Sequence, residues 1–179
     1  MSNIIELYSD QILDLVGQVE SKGYEFSEVI SELQSIDLKL LDHPDEDLFG
    51  FNELYAEVQS YISRVTSIIL SLREEKQVWL TFKYQADKLF SKMRYNLLST
   101  RDDIKMLKSQ ELREASIFTE LSQVIDIQSI IERSLSDLDY LVKQCEIKRD
   151  DLDKANTNMS RQQRVIESMI GLGMLSKQV

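Results

Sequence analysis

The chain has 179 residues, 42% hydrophobic and 29% charged, with a formal net charge of −10. That balance excludes a disordered polar chain, and the longest nearly apolar run, Val65 to Leu72, falls far short of the roughly 20 residues that cross a bilayer. The single cysteine, Cys145, excludes an internal disulfide, and the acidic start MSNIIELYSD does not read as a secretion signal, so a soluble cytoplasmic protein without membrane attachment is expected.

The acidity is concentrated at the front. Residues 1–50 hold two Lys/Arg and twelve Asp/Glu, whereas residues 51–179 hold nineteen of each sign. Two short helices are expected in this head, the first from about Asn3 to Glu20 and the second beginning near Ser27 as N-cap, with SKGYEF as the turn between them. The stretch LDHPDEDLFG then reads as a loop, because Pro44 and Gly50 punctuate it, and Asn52 is placed to cap the long body beyond it. The acids of this loop, Asp42, Asp45, Glu46 and Asp47, lack the alternating ligands and central glycine of a calcium loop and read as solvated.

No Gly or Pro interrupts Phe51 to Ile170, a run of 120 residues. A run of that length and composition predicts very long helix. One apolar register steps by seven through Val58, Val65, Leu72, Trp79, Ala86 and Met93, reaches a polar Thr100, and continues at Leu107. Its companion position runs Tyr61, Ile68, Glu75, Phe82, Leu89 and Asn96, with Glu75 and Asn96 as polar exceptions. A second register is unbroken through Ile117, Val124, Ile131, Leu138, Cys145, Leu152, Met159 and Ile166. The offset of three residues between them predicts either a continuous rod with a local stammer or a helical hairpin turning near STRDD or KSQELRE. The hairpin is favoured, since Ser99, Thr100 and Asp102 can cap helix ends. Each arm of 50–60 residues would run about 80 Å. The expected fold is therefore all-α, an elongated long-helix hairpin or coiled coil over residues 51–179 with a small acidic helical head over 1–50. Apolar stripes of this length also predict a homo-oligomer.

Residues for catalysis are scarce. His43 is the only histidine, so no Ser-His-Asp set and no histidine metal site can be assembled, and no Gly-rich phosphate cradle exists. Cys145 lies on the unbroken apolar stripe and reads as a structural core residue rather than a reactive thiol. The chain is not expected to be an enzyme, and no cofactor is implied. At the C-terminus Gly171 and Gly173 are placed to end the last helix. The apolar Met169, Ile170, Leu172, Met174 and Leu175 around them read either as a frayed end or as an element that docks on another subunit.

The remaining chemistry lies in a basic band. Lys76 to Arg113 has nine cations and four acids. Trp79 and Phe82 occupy core positions, whereas Tyr84 and Tyr95 fall outward. Arg94, Arg101 and Lys108 repeat every seven residues and would stand about 10.5 Å apart on one helix, with Lys105 beside that line and Lys88 and Lys92 one turn earlier. A row of cations with aromatic faces beside it suits sequence-tolerant binding of single-stranded nucleic acid, in which phosphate contacts supply a salt-sensitive affinity. The alternative is the solvated outer face that any long helix needs, and Asp87, Asp102 and Asp103 dilute the charge.

The segment SKMRYNLLS, with Lys92-Met93-Arg94 followed by Tyr95, Leu97 and Leu98, resembles the KxR-containing helix of the phage UvsY-type recombination mediators. A second likeness, to that family's C-terminal helical segment, lies in SLSDLDYLVKQC and the downstream RVIESM. The resemblance spans roughly residues 70–170; the glycines expected after the KxR helix are missing and the acidic head is extra. It implies a ring-like homo-oligomer that binds single-stranded DNA and helps load a RecA-like recombinase onto strands coated by single-strand-binding protein. Lys92 and Arg94 would then be DNA contacts, and the acidic head a contact for the recombinase or the single-strand-binding protein. If the chain is phage-encoded, its compartment is the host-cell cytoplasm. The competing expectation is a structural or assembly coiled coil, such as a virion, neck or tail component or an assembly chaperone, without nucleic-acid binding.

Overall fold

The computed structural model describes residues 4–22, 26–36 and 48–173. They form six helices: α1 (Ile4–Ser21), α2 (Phe26–Ser35), α3 (Leu48–Thr100), α4 (Asp102–Lys105), α5 (Gln110–Glu120) and α6 (Ser122–Gly171). No strand occurs among the described residues. This is an all-α long-helix hairpin, in which α3 and α6 pack against each other. The chain divides into two compact units. One contains α1 with residues 74–139, the other α2 with residues 48–73 and 140–171.

The heptad arithmetic explains the burial. In the first register Val58, Val65, Leu72, Ala86 and Met93 are fully buried and Trp79 nearly so. All eight residues of the second register, Ile117 through Ile166, are buried too. A 3.6-residue turn puts every seventh residue back on nearly the same face, so each long helix carries one apolar seam and each seam finds the other within the same chain. The apolar heptads that suggested self-association are thus already covered, and any contact between copies must use another surface.

Charged and amide pairs flank the seam. In the unit built on α1, Lys76 pairs with Asp139 and Lys83 with Glu132 (3.2 Å), and the Gln128 amide donates to Asp87 (2.7 Å). Seven residues forward along α3 are matched by seven backward along α6, and the next four by four. That one-for-one countdown is the signature of antiparallel helices in a fixed register. In the other unit Arg73 pairs with Glu146 (2.7 Å), while Phe51, Val58, Met159 and Ile166 form the core.

The turn uses both breaks that the sequence offered. α3 stops at Thr100, Arg101 is extended (φ −99°, ψ 96°), and α4 makes one short turn. Ser109 (φ −116°, ψ 152°) then caps α5, its hydroxyl accepting the Leu112 N–H at 3.1 Å. The expected caps Ser99 and Thr100 instead bond back to the Asn96 carbonyl inside α3. Extended residues redirect the chain here with no positive φ among non-glycine residues, which is why the turn needs no glycine.

The N-terminal helices each join one unit. α1 buries Ile4, Ile12, Leu15 and Val19. Its register on α3 is held by the two polar exceptions in the companion heptad. Glu75 accepts the Lys22 amine (3.1 Å) and the Trp79 indole N–H (3.2 Å), and Asn96 donates to the Tyr8 hydroxyl (3.4 Å). In the other unit, Arg64 pairs with Glu32 (3.0 Å), and the Lys148 amine donates to the Ile36 carbonyl (2.6 Å) just past the end of α2.

Two boundaries differ from expectation. α3 begins at Leu48, so Gly50 and Asn52 lie inside it rather than closing a loop and capping a helix. α2 begins at Phe26, putting Ser27 in its first turn. At the other end Gly171 closes α6 as expected, and Gly173 takes the left-handed conformation (φ +71°) that ends helices at little cost for glycine. The remainder of the SKGYEF turn, His43 with the acidic loop Asp42 to Asp47, and Met174 and Leu175 lie outside the described residues.

Candidate functional site

On the part of α3 that belongs to the α1 unit, the core takes Trp79, Phe82, Ala86, Leu89 and Met93, and α1 covers the flank at Glu75 and Asn96. A third face is left to solvent. It carries Thr81, Tyr84, Lys88, Ser91 and Tyr95, spaced alternately by three and four residues, with Lys92 beside them. Spacing of three and four returns each residue to the same side of the helix.

Both tyrosines stand out: Tyr84 is 66% exposed and Tyr95 75%. The Lys88 ammonium lies 6.0 Å from the centroid of the Tyr84 ring, at the outer limit of a cation–π contact. Lys88 and Lys92 stand one turn apart, about 6 Å along the axis, and neither has an ion-pair partner among the described residues. They line a shallow groove of about 200 Å³ with Gln85, Leu89 and, from α1, Gln11, Asp14 and Leu15.

The other cations of the band are placed differently. Arg94 grips Glu114 of α5 through Nε and a terminal nitrogen, and that hydrogen bond raises its pKa above the ordinary arginine value. Arg101 binds both oxygens of Asp103 (2.9 and 2.8 Å) and reaches Glu120 at 3.3 Å. The Arg101 hydrogen bonds hold the Asp103 carboxyl down at about 2 and raise the Arg101 pKa in turn. Lys105 donates to the Ser99 carbonyl (2.8 Å) and to Asp102 (3.0 Å). Lys108 is exposed, between α4 and α5. The expected row of Arg94, Arg101 and Lys108 at helical spacing is therefore not built, because the helix ends at Thr100 and Arg101 is extended.

The KxR pair divides accordingly: Lys92 faces solvent while Arg94 closes the hairpin end. Reading the sequence missed the neutralising carboxylates Glu114 and Glu120, which stand 20 and 19 residues from their arginines. Their signal is the hairpin register, which only the position of the turn reveals.

Other chemistry is confined. Cys145 is buried in the core of its unit, and that burial raises its thiol pKa. Among the described residues no three His, Cys, Asp or Glu side chains converge as a metal site, and no helix is long and apolar enough to cross a membrane. Compared with known proteins, the chain matches no family model, no curated protein and no solved structure.

Proposed function

We propose that this protein is a non-enzymatic single-stranded-DNA-binding protein that works as a homo-oligomer, with the Tyr84–Lys88–Lys92–Tyr95 face as its contact surface. One observation carries the reading: two exposed lysines with no ion-pair partner among the described residues, bracketed by two tyrosines whose rings stand in solvent. Cations at helical spacing meet successive phosphates, and tyrosine faces stack on bases of any identity. Lys108, and Lys105 and Arg101 on exchanging their partners, extend the surface toward the turn. The likeness of SKMRYNLLS to the UvsY-type mediators supports a role in loading a RecA-like recombinase onto strands held by single-strand-binding protein. Fluorescence anisotropy with labelled single-stranded DNA at two salt concentrations tests the reading. Binding that falls with salt and is largely lost in Lys88→Ala/Lys92→Ala supports it, and no binding at low salt refutes it.

A second reading is a coiled-coil assembly protein of a virion, neck or tail, or an assembly chaperone, without nucleic-acid binding. Its support is that five of the nine cations in the band, Lys76, Lys83, Arg94, Arg101 and Lys105, are tied to carboxylates of the same chain. Under this reading the basic band serves the hairpin itself.

A further inference from the structure

The groove beside Lys88 and Lys92 contains groups that phosphate binding leaves unused. Two of its lining residues are apolar and buried, Leu15 of α1 and Leu89 of α3. From α1 it also receives the Asp14 carboxylate and the Gln11 amide, and from α3 the amide of Gln85. Asp14 Oδ2 accepts the Gln18 side-chain amide at 2.9 Å, one turn along the same helix. That bond steadies the carboxylate and leaves its other oxygen to accept. Among the described residues Asp14 forms no ion pair with either lysine. A negative charge beside two lysines lowers their affinity for a phosphate, so phosphate contact alone does not account for this side chain.

A nucleobase uses all of these groups. The unstacked bases of a single strand offer a flat face to apolar or aromatic surface and a hydrogen-bonding edge to polar groups. An ionised carboxylate only accepts, so it selects an edge that donates. Cytosine, adenine and guanine each carry an exocyclic amino group, whereas thymine flanks its one ring N–H with carbonyl oxygens. We infer that the groove holds one base of the bound strand and prefers an amino-bearing base to thymine. The base lies on Leu15 and Leu89, its amino group donates to Asp14, and Lys88 and Lys92 take the adjoining phosphates. The Gln11 and Gln85 amides, each able to donate and accept, satisfy the rest of the edge. Tyr84 does not line the groove and is left to stack on a neighbouring base of any identity. This inference rests on the reading of the α3 face as a single-stranded-DNA contact. It adds a base preference to that contact, and it makes α1 one wall of the site.

Anisotropy titrations of the full chain with labelled oligo-dC and oligo-dT of equal length, at neutral pH and low salt, test it. These two pyrimidines match in size and differ on the edge that Asp14 reads. The wild type binds oligo-dC more tightly by at least about fivefold, the lower end of what one good base contact discriminates. Asp14→Asn tightens oligo-dT binding and brings the two affinities close together, because an amide both donates and accepts. Tighter binding is an effect that a damaged fold cannot give. Asp10→Asn is the control, since Asp10 is an exposed acid of α1 that does not line the groove. It leaves the ratio of the two affinities as in the wild type. Equal binding of both oligonucleotides by the wild type overturns the inference. So does a ratio that Asp14→Asn leaves unchanged, or one that Asp10→Asn shifts equally. Each of these leaves the tyrosine–lysine face standing as a sequence-tolerant contact. No binding of either oligonucleotide overturns that reading and this inference together.

Discussion

Arg94 is held by Glu114 through two of its guanidinium nitrogens, across the end of the hairpin. An arginine engaged in this way meets a phosphate only by exchanging partners. Arg94→Ala is therefore expected to act on stability first, lowering it by about 0.5–1 kcal/mol as an exposed ion pair does, with Glu114→Ala giving a similar loss. Urea melts of the two single variants and the double variant check this, and the pair's coupling should appear as non-additivity.

Lys88 and Lys92 should behave in the opposite way. Replacing both by alanine leaves the melt within about 0.5 kcal/mol of wild type, as for exposed residues that have no ion pair among the described residues. The same change lowers the slope of log affinity against log salt for single-stranded DNA by about 1.4. Anisotropy titrations across a salt series read that slope. An unchanged slope with intact binding would move the contact away from this face.

Glu75 holds two donors at once, the Lys22 amine and the Trp79 indole. Glu75→Ala leaves both without it and is expected to cost about 1–2 kcal/mol, whereas Lys22→Ala costs about 0.5 kcal/mol. Trp79 is the only tryptophan, so its emission follows unfolding directly. A red shift in the folded variant would report that α1 has loosened from α3.

Acid should weaken the turn through Asp103. Its pKa is about 2 in the folded chain against an ordinary 3.8, owing to Arg101. A lowered folded pKa contributes stability that is present above about pH 4 and is lost as pH falls toward 2. The wild type should thus exceed Asp103→Asn in urea midpoint at neutral pH and converge with it near pH 2.

Cys145 supplies the alkaline counterpart. Burial raises its thiol pKa, so the unfolded chain ionises first. The stability contributed by the neutral thiol is complete below the unfolded value and declines as pH rises past it. A thiol reagent should react with the native protein only at the rate of local opening and at full speed in urea. Rapid labelling of the native chain would contradict the buried placement.

The extent to which this was legible in the sequence depends on the range of each interaction. The seams were legible because burial on a helix depends on spacing alone, and every residue from Ile117 to Ile166 in the second register is buried. The exposed tyrosines were legible for the same reason. The hold of Glu114 on Arg94 and of Glu120 on Arg101 was not, because these carboxylates lie about twenty residues away around a turn built without glycine. The exceptions Glu75 and Asn96 looked like flaws in a heptad and proved to be the seats of α1. A polar residue in an apolar seam has meaning only when a third helix is in place to use it.

The one-for-one countdown between α3 and α6 also constrains how such a chain can change length. Removing seven residues from α3 between Lys83 and the turn would carry Lys83 past Glu132 and set Lys76 against Glu132 in place of Asp139, with every apolar seam residue still facing inward. The core would tolerate a slip that costs the flank one of these two pairs. Lineages of this hairpin should therefore gain or lose heptads in matched sets, one from each arm, with the turn between them preserved.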